Sequence, residues 1–110
     1  MKLETKFKES VRRDLKTLEN VWFFKTQEVA TRGIPDFILC LNGYFVTIEL
    51  KRSKKIKLEP LQEHISNRIE EKGKGIALRA APENWEKIFD LLKKLDAGKP
   101  QRRKVKTNLF

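Results

Sequence analysis

Residues 36–51 read DFILCLNGYFVTIELK, in which two apolar runs flank Asn42 and Gly43. An Asn-Gly pair between two such runs predicts a tight hairpin turn, because both residues tolerate the positive φ angles that this turn requires. The stretch therefore predicts two antiparallel strands, 36–41 and 44–50, joined by a two-residue turn.

The register of this hairpin brings charged residues together. With a two-residue turn, Leu41 pairs with Tyr44, and Asp36 then opposes Glu49 on the same face, with Cβ atoms roughly 5 Å apart. Lys51 lies two residues beyond Glu49 and points to that face as well. A three-residue loop or a bulge would shift the register by one residue and separate these groups.

Two opposed carboxylates repel each other, so a fold avoids the pair unless another charge offsets the repulsion. A divalent cation does so, and carboxylate oxygens favour Mg²⁺, Mn²⁺ or Ca²⁺. Taken singly, Asp36 is also explained as a turn or cap residue after Pro35, and Glu49 and Lys51 as the polar face of an edge strand. Their combination at matched register favours a metal site.

The rest of the chain predicts helices and strands around this hairpin. Apolar residues recur every three or four positions in three segments, which indicates amphipathic helices. The predicted elements are a helix over 3–19, a strand over 21–26, a loop over 27–33, the hairpin strands, a helix from Pro60 that ends before Gly73, a strand over 76–80 and a helix over 83–95. The order α-β-β-β-α-β-α predicts an α/β fold with one mixed sheet of about four strands flanked by helices. We expect one domain over 1–96 and a basic, flexible tail over 97–110.

Composition limits the kinds of partner and site that this chain can have. The chain has 25 Lys and Arg against 15 Asp and Glu, and its net charge of +10 attracts polyanions such as nucleic acid, unless it serves solubility alone. Cys40 is the single cysteine, which excludes an intrachain disulfide, and we expect it to be a small core residue. One histidine, His64, excludes a zinc site built from several Cys and His ligands.

Targeting segments are not evident in the sequence. No apolar run approaches the length of about 20 residues that a membrane span needs. Residues 1–10 are charged throughout and lack the core of a signal peptide. We therefore expect a soluble, cytoplasmic protein with no membrane partner, encoded by a cell or by a virus that acts in its host cell.

Glu4 and Gln62 are two further candidates for the site. Glu4 extends the apolar stripe of the first helix and points inward, where a metal or a metal-bound water would offset its charge, unless the first turn frays into solvent. Gln62 borders the inner face of its helix, and we expect it to hydrogen-bond Lys51 or a substrate phosphate, unless it is a plain amide on the helix flank.

A basic run follows the hairpin directly. Cations beside a metal site would hold the phosphates of a nucleic acid, although a charge run is also typical of a solvated loop. The expected phosphate-binding residues, after Lys51 itself, are Arg52, Lys54, Lys55 and Lys57.

These motifs together resemble the VRR-NUC nucleases (virus-type replication-repair nucleases), a branch of the PD-(D/E)xK superfamily. The resemblance covers residues 3–95 and is carried by Gly33-Ile34-Pro35-Asp36, Ile48-Glu49-Leu50-Lys51 and Pro60-Leu61-Gln62. It implies a restriction-endonuclease-like fold and hydrolysis of DNA phosphodiester bonds with Mg²⁺ or Mn²⁺. The implied metal ligands are Asp36, Glu49, the backbone carbonyl of Leu50 and Glu4, and the implied catalytic residues also include Lys51 and Gln62. Lys51 would orient or activate the attacking water and stabilise charge on the phosphate.

The resemblance also implies a substrate and a partner. Freestanding members of the family resemble junction-resolving homodimers, so we expect a structure-specific endonuclease that acts on branched DNA such as four-way (Holliday) junctions. Alternatives are a flap or non-specific nuclease, a sequence-specific restriction-like enzyme, and a basic module that binds branched DNA without cutting it. Of the consecutive aromatics Trp22, Phe23 and Phe24, one or two would remain for a partner unless helices cover both faces of the sheet.

Overall fold

The structure is a computed structural model that describes residues 3–26, 33–101, 105 and 107, with only the backbone described for Leu3 and Glu4. Its elements follow the predicted order. They are α1 (Leu3–Leu15), β1 (Val21–Lys25), β2 (Phe37–Leu41), β3 (Tyr44–Leu50), α2 (Pro60–Glu71), β4 (Ile76–Ala80) and α3 (Trp85–Ala97). The predicted loop over 27–33 lies outside the described residues except for Gly33.

The four strands form one mixed sheet in the order β1-β2-β3-β4. The pairs β1–β2 and β2–β3 are antiparallel, whereas β3 and β4 are parallel. A parallel pair needs a crossover connection, and α2 lies within it. The predicted α/β architecture with a mixed sheet is confirmed.

The hairpin turn has the predicted two-residue geometry. Asn42 and Gly43 have φ angles of 50° and 92°, and Leu41 pairs with Tyr44. The turn contacts the segment after α3, since the Gln101 backbone N–H donates to the Asn42 carbonyl over 2.9 Å. A side chain at Gly43 would collide with the Gln101 carbonyl. The hairpin register, on which the predicted site depends, is therefore confirmed.

The core lies between one face of the sheet and the helices α1 and α3. The buried residues that α1 contributes are Phe7, Val11 and Leu15, and α3 contributes Trp85 and Leu92. The Trp85 indole N–H also donates to Asp14 over 2.7 Å and joins the two helices. This packing holds α1 at the end of the sheet where β3 finishes, which is where the candidate site lies.

The first helix is shorter than predicted. It ends at Leu15 instead of residue 19, although Leu18 is still buried. The Asp96 carboxylate accepts hydrogen bonds from the backbone N–H groups of Glu19 and Asn20, at 2.9 and 2.6 Å. This contact between distant segments directs the chain away from the helix and toward β1. The apolar periodicity of the sequence gives no sign of it.

The other face of the sheet is only partly covered. Helix α2 packs against β4 and Thr47 is buried, whereas Trp22, Phe24 and Phe45 are exposed. The prediction that Cys40 is a core residue is wrong, since its side chain is exposed. Strand alternation turns Leu39 and Leu41 into the core and Cys40 toward the partly covered face.

Two further predictions concern the termini and the membrane. In the described part of the chain, no helix is long and apolar enough to cross a membrane. Helix α3 includes Ala97, and Gln101 contacts the hairpin turn, while residues 102–104, 106 and 108–110 lie outside the described residues. The division into a domain over 1–96 and a flexible tail over 97–110 stays a prediction.

Candidate active site

Asp36 and Glu49 lie opposite each other at the end of the hairpin. The paired register ends at Phe37 and Ile48, and Asp36 and Glu49 are the next residues of the two segments, with a hydrogen bond between their carboxyl groups. Asp36 is held in place by its backbone and side chain: its carbonyl accepts from the Thr26 N–H over 2.8 Å, and its Oδ2 accepts from the Leu50 N–H over 2.8 Å. The predicted pair of carboxylates is therefore present, with one carboxylate tied to the backbone of the neighbouring strand.

The glycine of the Gly-Ile-Pro-Asp segment allows this segment to approach α2. Gly33 has a φ of 84°, and a Cβ there would lie 2.7 Å from Cγ of Leu61 and 2.9 Å from Cδ1 of Ile65. Any other residue would be strained in that conformation and would push the helix away. Gly33 thus brings Asp36 and α2 to the same end of the sheet.

Glu49 is a buried acid, with only 7% of its surface exposed. Burial is the main cause that raises its pKa from 4.5 to about 8, and the negative charge of Asp36 is the next. The ammonium groups of Lys51 and Lys8 act in the opposite direction, and a hydrogen bond with Asp36 favours the protonated form. Burial, together with the negative charge of Asp36, therefore favours the protonated form of Glu49 near neutral pH.

Gln62 of α2 is the hydrogen-bond partner of Glu49. Its Nε2 donates to Oε1 of Glu49 over 2.8 Å, and its own Oε1 accepts from the Glu59 N–H over 3.0 Å. The expected hydrogen bond to Lys51 is not what the structure shows, because the amide is used between the start of α2 and the carboxylate. Gln62 therefore fixes the orientation of the Glu49 carboxyl group.

Two lysines bring positive charge to this pair. Lys51 follows β3, and its backbone N–H donates to the Ala80 carbonyl over 2.8 Å. Lys8 of α1 was not predicted, and its Nζ lies 4.0 Å from Oδ1 of Asp36. The sequence feature that could have indicated Lys8 is its position next to Phe7, at the border of the apolar stripe of α1.

These groups line one cavity of about 320 Å³. Its walls come from α1, from the hairpin and from the segment after β3. The lining residues are Phe7 and Lys8, then Asp36, Glu49 and Leu50, and then Lys51, Arg52 and Ile56. Two carboxylates and three cations thus surround a space large enough for a phosphate group with its water.

A solved structure described as "VRR_NUC domain" resembles this chain, with a TM-score of 0.68. The match covers 82% of this chain and 97% of that one, at 18% sequence identity. The chain has the fold of a VRR_NUC domain. The resemblance that the sequence motifs predicted is thereby confirmed at the level of the fold. No protein-family model and no curated protein matches the sequence.

On this VRR_NUC fold the basic segment after β3 is tied to the sheet. Oε2 of Glu83 accepts from the Ser53 hydroxyl over 2.9 Å and from the Lys54 N–H over 3.2 Å. The guanidinium of Arg79 donates to the Lys54 carbonyl over 2.6 Å. The side chains of the four expected phosphate-binding residues, Arg52, Lys54, Lys55 and Lys57, are exposed. The segment is thus an ordered basic rim beside the cavity.

Glu4 is the predicted site residue whose side chain is not described. Glu4 lies in the first turn of α1, but its side chain lies outside the described residues. Among the residues that are described, no cluster of three or more His, Cys, Asp or Glu side chains could hold a metal ion. The described part of the candidate site therefore has two carboxylates, Asp36 and Glu49, and the remaining oxygen ligands of a metal ion there would be backbone, water or substrate.

Proposed function

We propose that this chain is a divalent-metal-dependent DNA endonuclease that hydrolyses phosphodiester bonds. The observation that carries the proposal is the cavity in which Asp36 opposes Glu49, with Lys51 beside them. A carboxylate whose pKa is raised by burial and by a second carboxylate, as that of Glu49 is, is typical of a functional site, because a fold gains no stability from that arrangement. The VRR_NUC fold supports the same conclusion.

The donor set fits Mg²⁺ or Mn²⁺. Mg²⁺ keeps several water ligands and is usually bound by one or two carboxylates together with substrate phosphates, which matches Asp36 and Glu49. We propose the Leu50 carbonyl as a further ligand and Glu4 as an additional acid of the site. When bound, the cation would lower the pKa of a coordinated water and neutralise developing negative charge on the phosphate.

The surrounding side chains have distinct roles in this proposal. The Lys51 ammonium has only donors and cannot be a metal ligand, so it donates to the attacking water or to a phosphate oxygen and stabilises negative charge there. The amide of Gln62 holds Glu49 in one orientation, and the Leu50 N–H does the same for Asp36. The reacting groups are therefore positioned by the sheet and by α2 before the substrate arrives.

The basic rim would bind the DNA backbone. Arg52, Lys54, Lys55 and Lys57 are exposed next to the cavity, and the contacts of Glu83 and Arg79 with residues 53–54 reduce the entropy lost when that segment binds phosphates. We propose that the basic residues of the segment 97–110, among them Arg102, Arg103 and Lys104, add contacts of the same kind. These three lie outside the described residues.

A homodimer that cuts branched DNA is the most specific part of the proposal. Trp22 and Phe24 stack with ring centroids 6.4 Å apart and planes at 7°, and Trp22 is 62% exposed. We call Trp22, Phe24 and Phe45 the aromatic face. Large exposed aromatics are enriched at protein interfaces, and β1 is an edge strand. A two-fold dimer would supply a second active site, which symmetric cleavage of a four-way junction requires.

The test is cleavage of four-way junctions, single flaps, linear duplex and single strands, each with Mg²⁺, with Mn²⁺ and with EDTA. We expect metal-dependent nicking that is fastest on junctions and is lost in Asp36→Asn. Asp90→Asn, which removes an exposed carboxylate on α3, is the matched control and should cleave normally. Binding of junctions without any cleavage would identify a basic binding module, and equal cleavage of all substrates would identify a non-specific nuclease.

A further inference from the structure

Lys8 brings a second ammonium to the carboxylate pair, from a different element than Lys51. Its side chain is 25% exposed, and its Nζ lies 4.0 Å from Oδ1 of Asp36. The other oxygen of this carboxylate, Oδ2, accepts the hydrogen bond of the Leu50 N–H. Lys8 therefore faces the carboxylate oxygen that the backbone of β3 does not use.

The backbone of Lys8 is held in place by the core. The neighbouring Phe7 is buried and packs edge-to-face on Trp85, with ring centroids 6.3 Å apart and planes at 83°. This contact fixes the second turn of α1 against α3. Because the stem of Lys8 has four rotatable carbons, its ammonium can still move by a few ångströms while its Cα stays fixed.

The place of Lys8 conflicts with the binding of a cation by Asp36. A divalent ion at Oδ1 would lie within a few ångströms of the ammonium, and the two positive charges would repel each other. Lys8 also interacts with the charge of Glu49 in the same cavity, and a phosphate oxygen bound there would give its ammonium group a further anion. On the other wall, Lys51 and Arg52 line the cavity and offer positive charge to the same phosphate group.

We propose that Lys8 is a phosphate-binding residue of the active site. In this proposal the substrate strand lies between Lys8 on α1 and Lys51 after β3, and Lys8 leaves Asp36 for a phosphate oxygen when a divalent cation binds. The inference rests on the proposed nuclease function and adds a residue to it. It gives α1 a direct part in holding the substrate.

The test compares Lys8→Met with Lys6→Met. Methionine keeps much of the lysine stem and removes the charge, and Lys6 is an exposed residue of α1 that does not line the cavity. Calorimetry with Mn²⁺ alone should show about threefold to tenfold tighter binding for Lys8→Met, because a repelling charge is removed, and unchanged binding for Lys6→Met. Junction DNA binding in Ca²⁺ should be weaker for Lys8→Met, with a salt slope reduced by about one unit.

Each outcome separates this inference from the proposed function. If the wild type binds neither Mn²⁺ nor DNA, the proposed function fails. If the wild type binds both and Lys8→Met behaves like Lys6→Met in both assays, the role of Lys8 is overturned. Tighter Mn²⁺ binding with an unchanged salt slope overturns it too, since Lys8 would then only balance the carboxylates. Lys8→Arg keeps the charge and should retain the salt slope, which guards against a loss of folding in Lys8→Met.

Discussion

The Gln62 amide donates a hydrogen bond to Oε1 of Glu49 over 2.8 Å, and this contact joins α2 to the central sheet at the candidate site. The other end of the same amide accepts from the Glu59 N–H. The amide cannot rotate without losing both hydrogen bonds. Gln62 is therefore a positioning residue that acts through Glu49.

Gln62→Ala should weaken Mn²⁺ binding by about tenfold or more, as is typical when the partner of a metal ligand is removed. The reason is that the Glu49 carboxylate loses its fixed orientation. Calorimetry with Mn²⁺ measures this effect. Glu63→Ala, next to it on an exposed side of α2, should bind Mn²⁺ like the wild type; equal affinity in both variants would remove Gln62 from the site.

The raised pKa of Glu49 predicts a pH dependence of folding in EDTA. Because its pKa is raised from 4.5 to about 8, the folded protein holds a proton on Glu49 that the unfolded chain releases above pH 4.5. The contribution of Glu49 to the free energy of unfolding should therefore fall as the pH rises from 4.5 to about 8. Above this range the charged, buried carboxylate destabilises the fold by a constant amount.

Glu49→Gln should remove this dependence. We expect the variant to be more stable than the wild type at alkaline pH, by on the order of 1–3 kcal/mol, and to differ little from it in acid. Urea unfolding of both proteins from acid to alkaline pH gives the difference directly. A difference in stability that stays constant across this pH range would show that Glu49 has an ordinary pKa.

Lys51→Ala should lose cleavage and keep metal binding. An ammonium group donates hydrogen bonds but cannot bind Mg²⁺ or Mn²⁺, so its removal affects the chemical step and leaves the carboxylates intact. Single-turnover cleavage and Mn²⁺ calorimetry on the same sample separate the two effects. Lys87→Ala, which neutralises an exposed lysine of α3 away from the cavity, is the control. Cleavage by Lys51→Ala at the wild-type rate would contradict the proposed role.

Trp22→Ser with Phe24→Ser should convert a dimer into a monomer. These rings form an exposed stack on the edge strand, and a single interface aromatic often contributes 2 kcal/mol or more to binding, as a rough guide. Light scattering at micromolar protein gives the mass. Leu91→Ser, which changes an exposed apolar residue of α3, should leave the dimer intact. A monomeric wild type that cuts single flaps and not junctions would place this protein among flap-cutting nucleases.

Local patterns were sufficient to predict the hairpin and its register. The positive φ of Asn42 and Gly43 is a property of those two residues, and it determines which residues oppose each other along both strands. The opposition of Asp36 and Glu49 follows from that register and needs no long-range information. The order of the elements also follows from apolar periodicity. The apolar residues of each helix and strand here are spaced so that they lie on the side that is buried.

Contacts between distant segments depended on the tertiary structure. The end of α1 at Leu15 follows from Asp96, which lies far along the chain. The partner of Gln62 was predicted as Lys51 or a substrate phosphate, and the structure shows Glu49 instead. The apolar periodicity of a helix indicates which face points inward, but it does not identify the atom that a side chain on that face contacts. Cys40 sits in an apolar run, yet its exposure depends on how far α2 extends over the sheet.

Lys8 shows most clearly the difference between what local sequence determines and what the tertiary structure determines. Nothing in the local sequence around Lys8 distinguishes it from Lys6, the other lysine of α1, since both flank the buried Phe7. Its place beside Asp36 is set by the packing of Phe7 on Trp85, which joins residues near the two ends of the chain. Short-range backbone preferences determine register, whereas the packing of side chains that are distant in sequence determines which charged groups share a cavity.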